Sequence, residues 1–153
     1  MAYAQGRVMN DADSHIMESE DWLSSYADAE VRDRLLSMRL EAGGSGAAKA
    51  IARARERQLD AEATAAIASN VVSGPKGWGA FGAMNPDERR RALDDLGFAR
   101  QLVFTTFAGS QFLRSKDLDV RYGGARALNR GVGDFCSGDK RLVGVGFVTL
   151  DDP

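Results

Sequence analysis

The chain has 153 residues, of which 44% are hydrophobic and 27% are charged, and its formal net charge is −2. This balance gives no electrostatic reason to expect a nucleic-acid or membrane partner, and no apolar stretch approaches the roughly 20 residues of a membrane span. The N-terminus lacks the basic-then-apolar layout of a signal peptide, so we expect a cytoplasmic protein. Cys136 is the single cysteine and excludes a disulfide framework; we interpret it as a small buried residue.

The first feature in chain order is a strand, predicted over residues 7–13, that leads into acidic residues and the only histidine. Asp11, Asp13 and His15 recur at a spacing of two. In an extended strand, side chains at this spacing point to the same face. Parallel α/β folds assemble their active sites at strand ends, so these three side chains are candidates for a metal site.

Other interpretations of this motif compete with a metal site. An EF-hand loop counted from Asp11 would need glycine and glutamate where the chain has Ile16 and Trp22, so it is excluded. A haloacid-dehalogenase-type phosphotransferase uses Asp-x-Asp after an apolar strand, which residues 11–14 fit in part. A polar turn, in which Asp and Ser cap the following segment, stays open from these residues alone.

The next part of the chain is predicted to be helical. Residues 19–40 contain helical turns, and a glycine-rich break covers residues 43–46. Residues 47–68 include ten alanines among 22 residues, which predicts one continuous helix. Because this helix has few large apolar side chains, we interpret residues 46–70 as an insertion that acts as a lid, an oligomer contact or a passive surface helix.

A loop with four glycines follows at residues 74–82 and carries two large aromatic side chains, Trp78 and Phe81. On a catalytic face these rings could contact an aromatic or apolar substrate. Alternatively, they attach a flexible loop to the core. Because large aromatic side chains commonly pack into a core, we favour attachment of the loop.

The second half of the chain repeats a helix and a strand. Residues 85–97 carry helix-start and helix-stop signals, and residues 102–107 predict a parallel strand that is buried on both faces. A helix over 120–137 and a strand over 142–150 follow. The basic run Arg89–Arg91 lies among acidic residues, which predicts a solvated helix face. This order predicts three adjacent parallel strands.

Three blocks of sequence together resemble one enzyme family. The first is Asp11-x-Asp13-x-His15 followed by Met17-Glu18 and Asp21-Trp22-Leu23; the second is residues 91–98 with the strand after them; the third is residues 129–136 with 141–144 and 151–153. In this order they resemble the amidohydrolase-related, metal-dependent (β/α)8 barrel enzymes. The resemblance covers most of the chain outside residues 40–75.

The resemblance implies an α/β fold in the form of a partial TIM barrel. Its first three parallel strands would be joined by two helical segments, with the alanine-rich helical insertion between the first strand and the rest. A whole barrel takes roughly 250 residues. We therefore expect residues 1–153 to form the N-terminal portion of a single amidohydrolase-like barrel domain.

The resemblance also implies a site and a chemistry. Asp13 and His15 would bind a divalent metal, zinc or manganese, with Asp11 as an orienting group or weak ligand and Glu18 as a weaker candidate. The intact enzyme would use metal-activated water to hydrolyse a small-molecule substrate. The general acid or base and the other ligands would lie beyond Pro153.

Two alternatives to hydrolysis stay open. The family's first strand often reads His-x-His, and the acidic residue at Asp13 resembles the branch that includes decarboxylases of aromatic and related carboxylic acids. The isolated 153-residue chain could also be a catalytically inert fragment, because it supplies only part of a metal site. Open sheet edges then predict a homo-oligomer or a self-associating fragment.

Overall fold

The computed structural model describes residues 3–40 and 46–151. Residues 43–45 of the predicted break and residues 152–153 of the last motif lie outside this range. The described strands and helices, in chain order within each class, are β1 (Met9–His15), β2 (Phe98–Phe104), β3 (Leu142–Gly144), α1 (Trp22–Tyr26), α2 (Ala29–Arg32), α3 (Ala47–Gln58), α4 (Ala61–Ala68), α5 (Pro86–Leu96) and α6 (Leu118–Cys136).

The three strands form one parallel sheet in the order β1-β2-β3. This confirms the prediction of a mixed α/β fold with adjacent parallel strands joined through helices. The sheet is open, and its membership of a barrel stays a prediction. The strand bounds differ from those expected: β1 continues to His15, β2 begins at Phe98, and β3 ends at Gly144.

The helix signals of α5 are confirmed in detail. The Asn85 side chain accepts hydrogen bonds from the backbone N–H groups of Asp87 and Glu88, and Gly97 ends the helix with a φ of 74°. The single helix predicted over residues 47–68 is wrong, because the chain breaks after α3. The Asp60 carboxylate accepts from two backbone N–H groups of α4 and thereby starts a new helix there.

Helices α5 and α6 pack together on one face of the sheet. The core between them and the sheet includes Leu93, Val103, Leu128 and Leu142. Gly123, Gly124 and Gly131 of α6 allow other side chains to approach the helix closely: a Cβ at Gly124 would lie 2.3 Å from the Phe112 ring. Close packing therefore accounts for glycines that weaken the helix signal in the sequence.

The opposite face of the sheet is open. Leu102 is 39% exposed and Val143 is 40% exposed. The predicted burial of the second strand on both faces is therefore wrong: α5 and α6 both lie on the side of Gln101 and Val103, and alternate residues of β2 point away from them.

The aromatic residues of the 74–82 loop are buried, as the attachment interpretation expects. Trp78 donates from Nε1 to the Glu18 carbonyl at 2.9 Å and stacks on Phe107. Phe81 packs with Ala68 and Ala92. The two rings thus attach the loop to α4, α5 and the ends of the first two strands. Cys136 is also buried, as expected.

Candidate metal centre

The end of β1 contains a β-bulge that determines where the candidate ligands point. Asp11 pairs with Gln101 and Ser14 pairs with Val103, so three steps along β1 correspond to two along β2. The extra residue lies at Ala12 or Asp13. The bulge places Asp11 and Ser14 on the face of the sheet that α5 covers, while His15 lies beside Phe104 on the open face.

The prediction that Asp11, Asp13 and His15 share one face is therefore wrong for Asp11, because a bulge interrupts the alternation of the strand. It is confirmed for the other two residues. Asp13 Oδ1 lies 3.2 Å from His15 Nε2. Both side chains are accessible, with exposed fractions of 89% for Asp13 and 41% for His15.

Thr106 is the second hydrogen-bond partner of the His15 ring. The Thr106 hydroxyl donates to the Ile16 carbonyl at 2.7 Å, so its oxygen is an acceptor toward His15 Nδ1, 3.1 Å away. With the Thr106 proton on the Ile16 carbonyl, His15 Nδ1 is the donor of this hydrogen bond, and Nε2 faces the Asp13 carboxylate.

This contact can be made by a proton on Nε2 that donates to Asp13 Oδ1, or by a metal ion that binds both His15 Nε2 and Asp13 Oδ1. A ligand histidine whose other ring nitrogen donates a hydrogen bond has the arrangement that metal sites use to orient the ring. The spacing of Asp13 and His15 predicts this pair, whereas Thr106 lies far along the chain and sequence reasoning missed it.

Asp11 supports the bulge. Its Oδ1 accepts the backbone N–H of Asp13 at 3.0 Å, and its Oδ2 accepts from the Gln101 amide at 3.1 Å. Both carboxylate oxygens thus have partners. The Asp11 carboxylate thereby positions the backbone of Asp13, and its orienting role at a metal site stays a prediction.

Arg89 joins α5 to the strand end and contradicts the prediction of a solvated basic run. Its guanidinium is buried and donates to the His15 carbonyl at 2.6 Å, to the Ser14 hydroxyl and to the Gly82 carbonyl. Burial lowers the pKa of Arg89 to about 10, and the Asp11 carboxylate opposes this change. Sequence reasoning missed Arg89 because nothing in the sequence distinguishes it from Arg90 and Arg91, which are more accessible.

Glu18 is buried rather than free to bind a ligand. One carboxylate oxygen accepts the Thr106 N–H at 2.7 Å, and the other accepts the Phe107 N–H at 3.0 Å. Burial raises the pKa of this carboxyl group, and these backbone hydrogen bonds oppose the increase. Glu18 therefore holds the chain beyond β2, where Thr106 meets His15.

Asp13 and His15 line an open cleft of about 520 Å³ beside the 74–82 loop, with Met17, Lys76 and Phe81. This volume is within the range of small-molecule sites. Within residues 3–40 and 46–151, no group of three or more His, Cys, Asp or Glu side chains is arranged to hold a metal ion. Asp13 and His15 are thus two potential ligands.

No protein-family model matches the chain, and no curated protein matches it. Within the described ranges, no helix is long and apolar enough to cross a membrane.

Proposed function

We propose that Asp13 and His15 are the first-strand ligands of a divalent metal in an amidohydrolase-type hydrolase. The observation that carries the proposal is the 3.2 Å approach of Asp13 Oδ1 to His15 Nε2, with Nδ1 already committed to Thr106. The pair lies at the carboxyl end of a parallel strand, the edge where such folds bind their ligands.

The donor set fits zinc or manganese. Imidazole nitrogen and carboxylate oxygen bind zinc at about 2.0–2.2 Å, and two tetrahedral ligands at these lengths are roughly 3.3 Å apart. The observed separation of 3.2 Å matches that spacing. The chemistry that such an ion supplies is the activation of water for attack on a carbonyl or related centre.

The surrounding residues give the site its shape. Thr106 fixes the ring of His15, Asp11 fixes the backbone of Asp13, and Arg89 fixes the backbone carbonyl of His15. We propose that a small-molecule substrate binds in the adjoining 520 Å³ cleft.

Calorimetric titration with Zn²⁺ and Mn²⁺ tests the proposal. We expect weak but saturable binding by the 153-residue chain, because catalytic zinc sites usually have three protein ligands and this pair supplies two. Asp13→Asn and His15→Gln should each reduce the affinity by at least about tenfold, since each removes half of the pair. Asp33→Asn is the matched control, because Asp33 is also exposed and lies on α2's C-terminal side.

The control should bind zinc with unchanged affinity. If Asp13→Asn and His15→Gln bind as well as the unmodified chain, the metal lies elsewhere and the proposal is wrong. Absence of saturable binding by the unmodified chain at millimolar metal would also contradict it.

We further propose that the chain self-associates through its open sheet. Strands β1 and β3 are the sheet edges, and Leu102 and Val143 expose apolar surface beside them. Sedimentation velocity over a concentration series should show species larger than the monomer. A single monomeric species at every concentration would refute this part of the proposal.

A further inference from the structure

A second cleft lies on the far side of the 74–82 loop, between α3, α4 and residues 75–79. Its volume is about 390 Å³, within the range of small-molecule sites. Its walls are mainly apolar and include Ala54, Ile67 and Pro75. An apolar body of modest size can therefore be accommodated there.

The charged residues that line this cleft are all cationic: Arg53, Arg57 and Lys76. The Glu88 carboxylate binds both terminal nitrogens of Arg57 and neutralises its charge. The excess positive charge of the cleft therefore comes from Arg53 and Lys76. Both are exposed, and the only partner of the Lys76 ammonium within the described ranges is the Val72 carbonyl.

The two exposed cations determine which ligand suits this wall. The Arg57 guanidinium is paired with Glu88 and its Nε is itself buried, so it is not available to a ligand in the cleft. A ligand that presents an anionic oxygen beside Arg53 and Lys76 would compensate the charge of these two side chains.

We propose that this cleft binds a small organic anion with an apolar body, of which a medium-chain carboxylate is the simplest form. Its apolar part would contact Ala54, Ile67 and Pro75. Its anionic head would lie beside Arg53 and Lys76. Pro75 and Lys76 line both clefts, but Asp13 and His15 do not line this one, so the inference does not depend on the metal proposal.

Nuclear magnetic resonance titration of the 153-residue chain with octanoate tests the site. Saturable shifts should occur at the backbone amides of Ala54, Ile67 and Gly79. Octanamide lacks the charge and should bind at least about tenfold more weakly, because hydrogen bonds to ionised groups are roughly twice as strong as neutral ones. Acetate lacks the apolar body and should give no saturable shifts.

Variants identify the cations that matter. Arg53→Gln and Lys76→Gln should each weaken octanoate binding about two- to fivefold, the usual strength of an exposed ion pair. Lys49→Gln removes an equally exposed charge from α3 outside the cleft and should leave the affinity unchanged. All three side chains are exposed, so the variants should fold.

Four results would overturn the proposal. Equal affinity for octanoate and octanamide would show that the cations do not recognise the ligand. Unchanged octanoate affinity in Arg53→Gln and Lys76→Gln would also show that these cations do not recognise the ligand. Shifts confined to Leu102 and Val143, or no saturable shifts at millimolar octanoate, would show that the cleft is not a site for such an anion.

Discussion

The buried ion pair between Arg57 and Glu88 gives a quantitative prediction about how the helical insertion attaches to the fold. Two hydrogen bonds of 2.7 and 2.8 Å join the guanidinium of α3 to the carboxylate of α5. Both side chains are 8% exposed. The Glu88 carboxylate also accepts the Gly82 N–H at 3.1 Å.

Glu88→Gln removes the charge of one partner but keeps an acceptor for Gly82. It leaves the Arg57 cation buried without its counter-ion, which costs about 3–5 kcal/mol of unfolding free energy. For a chain of this size, that loss lowers Tm by about 6–20 °C. The double variant Arg57→Met/Glu88→Gln should lose less than Glu88→Gln alone, because no charge stays buried.

Urea unfolding followed by circular dichroism measures these free energies for Glu88→Gln, for Arg57→Met and for the double variant. Arg55→Gln is the matched control on α3, since its ion pair with Asp21 is exposed and should contribute at most about 1 kcal/mol. The proposed role of the buried pair would be wrong if Glu88→Gln lost less than about 1 kcal/mol of unfolding free energy. It would also be wrong if the losses of the two single variants simply added in the double variant.

Three further outcomes follow from burial and packing. Burial raises the pKa of Glu18, so its stabilising contribution is present at low pH and decreases as pH rises through the folded-state pKa. The unfolding free energy of the wild type relative to Glu18→Gln should therefore increase from pH 7 to pH 4, and the opposite slope in urea titrations would contradict this. Burial also raises the pKa of the Cys136 thiol, so iodoacetamide should modify it at pH 8 only after unfolding; rapid labelling of the folded chain would contradict this. Gly124→Ala forces a Cβ against Phe112 and should lower the free energy of unfolding in urea by about 1–3 kcal/mol. Gly133→Ala is the control: its Cβ meets open space, so the variant should be neutral or stabilising. Equal effects of the two substitutions would show that Phe112 does not pack against Gly124.

Sequence signals within a few residues correctly predicted the helix ends that depend only on neighbouring residues. The caps of α5 are both encoded within a few residues, at Asn85 and Gly97, and both form as expected. The order and direction of the strands also follow from the alternation of strands and helices. The break between α3 and α4 was missed because alanine content favours one helix, whereas the Asp60 cap separates two.

The candidate site was predicted only where its residues are close in sequence. The two-residue spacing brings Asp13 and His15 together, but it cannot reveal the bulge that moves Asp11 to the other face. Thr106 and Arg89 reach the strand end across 91 and 74 positions of the chain. Such long-range contacts depend on how the helices and strands pack, so the spacing of residues along the chain does not predict them.

The most direct test of the metal proposal is the ¹⁵N spectrum of the His15 ring. The chain has one histidine, so both ring nitrogens are identified without ambiguity. In the neutral, metal-free chain the spectrum should show a proton on Nδ1, where Thr106 accepts it, and Zn²⁺ should change the shift of Nε2. Asp13→Asn should reduce that change at the same zinc concentration. A proton on Nε2 in the neutral ring, or no response of Nε2 to zinc, would contradict the account.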